Sequence, residues 1–280
     1  MDSTLAFAKA SANAIMPAMP RITSGSVAGL GYSEAGEGPA TPIVFLHGVG
    51  SDKSVWRPQL QHFGKARRAV AFDYPGYGGS DPAAKGTSRD DYATAIASAM
   101  RKLGIARAHI CGLSLGGVVA VSLHHHAPEL CASLIIAASF AAHPDGQGIY
   151  DRSLAGSADL RGMAKARVDV LLAQPADPKI RRNVVATMSK IDSAAYRIGA
   201  EAVWLADQAD RARAIDVPTL VVCGTKDTIT PPQLSAELRD LIPGSELVLI
   251  TGAGHLSNLE KPMEFNAAVD RFLRGAETAA

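Results

Sequence analysis

Short apolar runs recur along the chain, separated by longer amphipathic stretches. Pro42–Leu46 (PIVFL), Ala69–Phe72 (AVAF), Ala108–Cys111 (AHIC), Leu134–Ala137 (LIIA), Thr219–Cys223 (TLVVC) and Leu247–Ile250 (LVLI) are each bounded by glycine, proline or charge. Runs this short, and apolar throughout, predict strands buried on both faces. The stretches between them carry the helical period. In Asp90–Leu103 the apolar residues Tyr92, Ile96, Met100 and Leu103 fall on one face, and Gly104 ends the pattern. Leu234–Leu241 and Leu259–Phe272 read as helices on the same grounds. Strands alternating with helices predict an α/β fold, a mostly parallel twisted sheet with helices on both faces.

One region breaks the alternation. From about His143 to Asp207 there is no strand pattern. Leu160, Met163, Ala164, Val168, Leu171 and Leu172 share one helical face. Asp177-Pro178 is an N-cap followed by proline at the first helical position, and Ile180, Val184, Val185 and Met188 line the helix it starts. Asp192 or Ser193 caps a third helix holding Tyr196, Val203 and Trp204. A helical block between two strands predicts a cap over the carboxyl edge of the sheet, the edge at which open parallel sheets bind ligands. The expected organisation is an N-terminal arm over 1–20, an α/β core over 21–142 and 208–280, and a helical cap over 143–207.

Composition narrows the function classes. The 280 residues suit one large domain carrying an insertion, and 28 Lys and Arg against 27 Asp and Glu leave a formal charge of +1. There is no basic stripe for nucleic acid and no acidic tail. No apolar run approaches the ~20 residues of a membrane span. Neither a nucleic acid nor a membrane is therefore expected as a partner. The Ala-rich start lacks a basic segment and is interrupted by Lys9, so it reads as a loose arm rather than a secretory leader. Cys111, Cys131 and Cys223 form no CxxC pair and read as small buried apolar residues. A cytoplasmic location is the expectation.

The chemistry centres on Gly112-Leu113-Ser114-Leu115-Gly116, a G-x-S-x-G match. The strand AHIC runs straight into it and an apolar helical segment from Leu115 to His124 follows. That context is the strand–turn–helix of a nucleophile elbow, which lifts the serine above the sheet edge. A serine hydroxyl needs a base within hydrogen-bond reach, and the base needs an orienting acid. Asp227 follows TLVVC and His255 follows the next strand, in Gly252-Ala253-Gly254-His255. Both therefore leave the sheet at the same edge as Ser114, in the chain order Ser, Asp, His. A tetrahedral intermediate also needs two N–H donors. The candidates are the backbone of Leu115 and, in the loop His47-Gly48-Val49-Gly50, that of Val49.

These motifs resemble the α/β-hydrolase superfamily over roughly residues 25 to 275. His47-Gly48, the loop from Asp73 to Ser80 (DYPGYGGS), Gly112–Gly117, Asp227 and Gly254-His255 match its motifs in order. Within it, Asp227–Pro232 (DTITPP) and Gly254–Glu260 (GHLSNLE) are similar to the 3-oxoadipate enol-lactonases and their esterase relatives. The resemblance implies a Ser114, Asp227 and His255 triad on an α/β-hydrolase fold. It does not imply the substrate.

Other features have structural readings. The adjacent residues His124-His125-His126 lack the i, i+3 or i, i+4 spacing of a helical metal site. Asp73 begins a loop bent by prolines and glycines and reads as structural. Arg167 reads as solvated or ion-paired, with a substrate carboxylate as the alternative. Trp204, Met163 and Leu256 are the candidate pocket residues, and Trp204 is equally a packing residue between cap and core. The function expected is hydrolysis of a small carboxylic ester or lactone, with no metal and no cofactor. C–C bond hydrolysis by the same triad, a perhydrolase side activity, and a ligand receptor on a hydrolase scaffold stay open.

Overall fold

The carboxyl ends of six parallel strands meet at one edge, and that edge carries every residue singled out for chemistry. The structure is a computed structural model that describes residues 19–278. The arm expected over 1–20 lies outside the described residues, apart from Met19 and Pro20. The strands are β1 (Ile22–Val27), β2 (Leu30–Ala35), β3 (Ala40–Leu46), β4 (Arg67–Phe72), β5 (Ala108–Leu113), β6 (Cys131–Ala137), β7 (Thr219–Gly224) and β8 (Glu246–Ile250). They form one sheet in the order β1-β2-β4-β3-β5-β6-β7-β8. From β4 to β8 all neighbours are parallel, while β1 and β2 form an antiparallel pair at one edge. Sequence reading missed β1 and β2. ITSGSV has almost no apolar content and is largely exposed, so neither the buried nor the alternating pattern shows.

The helices are α1 (Arg57–Phe63), α2 (Arg89–Lys102), α3 (Leu115–His126), α4 (Gly146–Gly156), α5 (Leu160–Leu171), α6 (Pro178–Met188), α7 (Ser193–Trp204), α8 (Ala209–Arg213), α9 (Pro232–Leu241), α10 (Ser257–Glu260) and α11 (Pro262–Thr278). The alternation of side chains along a strand feeds two cores. Val44 and Leu46 of β3 join Tyr92, Ile96, Met100 and Val118 on the face covered by α2 and α3. Ile43 and Phe45 join Leu60, Phe63, Phe265 and Phe272 on the face covered by α1 and α11. Ser88 caps α2 through a reciprocal capping box with Asp91. The single helix expected over Leu259–Phe272 is two helices. Lys261, the residue before Pro262, sits at φ −136°, ψ 59°, because proline disfavours helical geometry in the residue before it.

Between Ala142 and Asp207 the chain forms four α-helices, α4 to α7, and the short α8 follows before β7. Three were expected. α4 has three glycines, Gly146, Gly148 and Gly156, which dilute its period. Asp159, Asp177 and Asp192 cap the other three by accepting backbone N–H bonds. The two ends of this insertion meet at an isolated antiparallel bridge between Ala142 and Asp207, beside the Gln208 N–H bond to the Ala141 carbonyl at 2.9 Å. Among the described residues, no helix is long and apolar enough to cross a membrane.

Candidate active site

β5 ends at Leu113 and α3 begins at Leu115, so Ser114 alone makes the turn. It does so at φ 55°, ψ −114°. A positive φ in a residue with a side chain costs roughly 1–3 kcal/mol and persists only where the surroundings fix it. Here the Ser114 N–H donates to the Ala137 carbonyl at 2.8 Å. Its own carbonyl accepts the Ser139 hydroxyl at 3.1 Å and the Gly117 N–H at 2.9 Å. The flanking glycines are there for close approach. A Cβ on Gly112 would run into the Gly116 carbonyl, and one on Gly116 into the Leu46 carbonyl. Ser139 carried no motif, and its role shows only once β6 lies beside the elbow.

Asp227 and His255 are buried side by side. The His255 Nδ1–H donates to Asp227 Oδ2 at 2.9 Å. The carboxylate accepts three further bonds, from Ile229 N–H at 2.9 Å, Thr230 N–H at 3.0 Å and the Thr230 hydroxyl at 2.8 Å. Burial pushes the Asp227 carboxyl up. The His255 ring and the Thr230 donors pull it further down, and the net direction is below the ordinary range. With Nδ1 engaged as donor, Nε2 is the nitrogen free to accept a proton. Thr230, whose hydroxyl also lies 3.2 Å from His255 Nδ1, had no sequence signal beyond its place in the DTITPP run.

The peptide joining Gly48 to Val49 is oriented by His47. The His47 Nδ1–H donates to the Gly48 carbonyl at 2.9 Å, and the Ser51 N–H donates to the same oxygen at 3.2 Å. In a planar trans peptide the C=O and the next N–H point opposite ways, so the Val49 N–H faces away from both donors. A Cβ on Gly48 would stand 3.4 Å from Ser114 Cβ, which puts this backbone beside the serine. Leu115 N–H lies at the first position of α3, where the helix dipole is positive. Neither N–H has a hydrogen-bond acceptor among the described residues. The His47 ring sits 4.5 Å from that of Tyr74 and 5.1 Å from that of Tyr77. Burial holds its pKa below the ordinary value, so at pH 7 it is a neutral clamp.

Ser114 and His255 open on one cavity of about 400 Å³ between the sheet edge and the insertion. Val49, Leu256 and Trp204 line it, while the Leu115 side chain is in the core. Met163 does not line it. It lines a neighbouring cavity that shares Arg167 and Ile229 with the first. The C-terminal turns of α5, with Arg167 and Leu171, reach the Ser114 cavity. Its first turn packs Met163 against Gly156 instead, where an added Cβ would stand 2.6 Å from Met163 Cε.

Trp204 lies where cavity wall and packing meet. It lines the cavity, and its ring stacks on Phe140 with centroids 5.9 Å apart. Trp204→Ala is therefore expected to lower stability by ~3–5 kcal/mol and to shift preference toward bulkier substrates. Thermal unfolding and a substrate ranking, run on the same preparation, check this. An unchanged ranking removes Trp204 from the site.

The remaining features are structural. Asp73 is buried, accepts the Lys53 and Gly79 N–H groups at 2.7 and 2.8 Å, and pairs with the Lys53 ammonium. His124 and His126 diverge, to Asp216 at 3.0 Å and to Asp90 at 3.3 Å. Among the described residues, no group of three or more His, Cys, Asp or Glu is placed to hold a metal ion. The three cysteines are free and buried.

Residues 43–268 match the model of the alpha/beta hydrolase family. The chain belongs to that family. A dihydrolipoyllysine-residue acetyltransferase component of an acetoin cleaving system from Pseudomonas putida is 30% identical to this alpha/beta hydrolase over 254 residues. The match covers 87% of the chain but 66% of that relative, just under two thirds of its length. A 3-oxoadipate enol-lactonase from Acinetobacter baylyi is 26% identical over 242 residues, covering 85% of the chain and 90% of the relative. The crystal structure of an enol-lactonase from Burkholderia xenovorans superposes with a TM-score of 0.82 at 28% identity, covering 88% of this chain and 96% of the other.

Proposed function

We propose that this alpha/beta hydrolase cleaves a carboxylic ester or lactone through an acyl-enzyme on Ser114. The observation that carries the reading is the convergence of a strained, cavity-facing serine with a buried His255–Asp227 pair. Ser114 Oγ attacks the carbonyl carbon while His255 Nε2 takes its proton. Asp227 holds the ring in the Nδ1–H tautomer and stabilises the imidazolium. Val49 and Leu115 N–H stabilise the oxyanion. The imidazolium returns the proton to the leaving alcohol, or to the enol of an opened lactone. Water, deprotonated by His255, then releases the acid and restores Ser114. The enol-lactonase relatives support an ester or lactone as the bond cleaved.

The charge of the cavity narrows the substrate. Its lining includes Arg57, Arg167 and Lys190 and no Asp or Glu. None of the three has a carboxylate partner among the described residues. Arg167, half-buried, is held at 2.9 Å from the Tyr196 hydroxyl and 3.4 Å from that of Ser153. This supports a substrate that brings its own carboxylate, set at Arg167 while the scissile carbonyl lies at Ser114.

Paired substrates test this, each carboxylate-bearing ester against its methyl-capped counterpart. The free carboxylate is expected to give the higher kcat/KM. Arg167→Met is expected to raise KM for the anionic member ~10–100-fold, the worth of a charge-assisted hydrogen bond, and to leave the neutral member within about twofold. Equal effects on both members would remove the anionic reading while leaving ester hydrolysis intact.

A further inference from the structure

The loop that carries His255 is fastened to the insertion, and one side chain does the fastening. The linker after α5 lies directly against that loop. A Cβ on Gly254 would stand 2.6 Å from Ala173 N and 2.9 Å from the Leu171 carbonyl. The His255 N–H itself donates to the Leu171 carbonyl at 2.9 Å. Glu260, at the end of α10, bridges the two segments. One carboxylate oxygen accepts the Gly254 N–H at 3.0 Å and the other accepts the Ala173 N–H at 2.7 Å. No part of the chemistry proposed for Ser114, Asp227 and His255 uses this carboxylate.

We infer that Glu260 is a positioning residue for His255, fixing the loop that carries the imidazole to the Leu171–Ala173 linker of the insertion. Leu171 also lines the substrate cavity, so the cavity wall and the base are set by the same bonds. The inference rests on His255 acting as the base. Burial pushes the Glu260 carboxyl above the ordinary range, and the backbone N–H donors, with His255 nearby, offset part of that rise. Both oxygens are used as acceptors, one for each segment. Glutamine offers one acceptor and an NH₂ group, so in Glu260→Gln one backbone donor faces another.

The charged groups around the pair are few. Asp227 faces His255 from the loop after β7, and Arg167 of α5 lies across the cavity. Lys226, Lys261 and Asp177 line a small cavity beside Glu260. None of these three makes an ion pair with Glu260 among the described residues.

The test uses the whole chain with its best ester substrate. Glu260→Gln is expected to lower kcat ~10-fold or more by misplacing the base, with KM within about threefold. Glu260→Asp keeps the charge but cannot reach both donors. Its kcat is expected to fall as well, with KM again within about threefold. A folded Glu260→Gln with parental kcat, or one whose KM rises as much as its kcat falls, would overturn the inference. If Glu260→Gln fails to fold, Glu260→Asp decides, and an unchanged kcat there overturns it too. Failure of the underlying reading looks different, because His255→Ala would then turn over normally whatever Glu260 does.

Discussion

Ser114→Ala is expected to lower kcat by ~10⁴-fold or more and to abolish labelling by a fluorophosphonate probe. The size follows from the chemistry. Without Oγ there is no acyl-enzyme, and only binding and the N–H donors of Val49 and Leu115 remain to assist water. The fold is expected to survive, because the bonds that hold the elbow at φ 55° are made by backbone atoms of residue 114, which alanine keeps. Active-site titration with the probe, beside an unfolding curve, checks both halves. Labelling that persists in the variant would move the nucleophile elsewhere.

Asp227→Asn is expected to cost ~10³-fold or more in kcat with little loss of stability. Asparagine retains an oxygen for the Ile229 and Thr230 N–H groups, which now bond to Asp227 Oδ1. Its NH₂ takes the place of Oδ2, and a donor then faces His255 Nδ1 where an acceptor stood. The ring answers by carrying its proton on Nε2, the nitrogen that must accept from Ser114. The Thr230 hydroxyl can turn to accept from the new NH₂, so no buried group is stranded. Turnover, the melting temperature and probe labelling rate check this. Turnover near that of the parent would assign the orienting role to another acid.

Much of this site was legible because its chemistry has local signatures. The elbow needs small residues at fixed offsets around Ser114. Asp227 and His255 each sit just past an apolar strand, so the parallel sheet brings them together without further information. What was not legible is non-local. The contacts of His47, Ser139, Thr230 and Glu260 run to segments distant in sequence or depend on a loop conformation, so the motifs that contain His47, Thr230 and Glu260 did not show what those side chains bond to, and Ser139 lay in none. Met163 was misplaced because a helical face shows which residues share a side, not where along its length the helix meets a cavity. The β1–β2 pair and α4 were missed because serine and glycine blur both periods. Trp204 could not be assigned to pocket or packing from sequence because it does both.

Asp227 and His255 follow β7 and β8, the last two strands along the chain and neighbours at one edge of the sheet, whereas Ser114 follows β5 in the interior. A ribosome therefore completes the elbow, and the whole insertion above it, before either partner has been made. On the proposed mechanism the serine is an ordinary alcohol throughout that interval, because the base that would take its proton has not been made. With Ser114 as nucleophile and His255 as base, the nascent chain would pass through translation without an activated nucleophile, and hydrolysis would wait for the loop after β8 to dock. The same order governs damage. On the same mechanism, proteolysis that removes the chain from β8 onward takes the base away and leaves the serine inert, so the enzyme would fail by falling silent rather than by losing its selectivity.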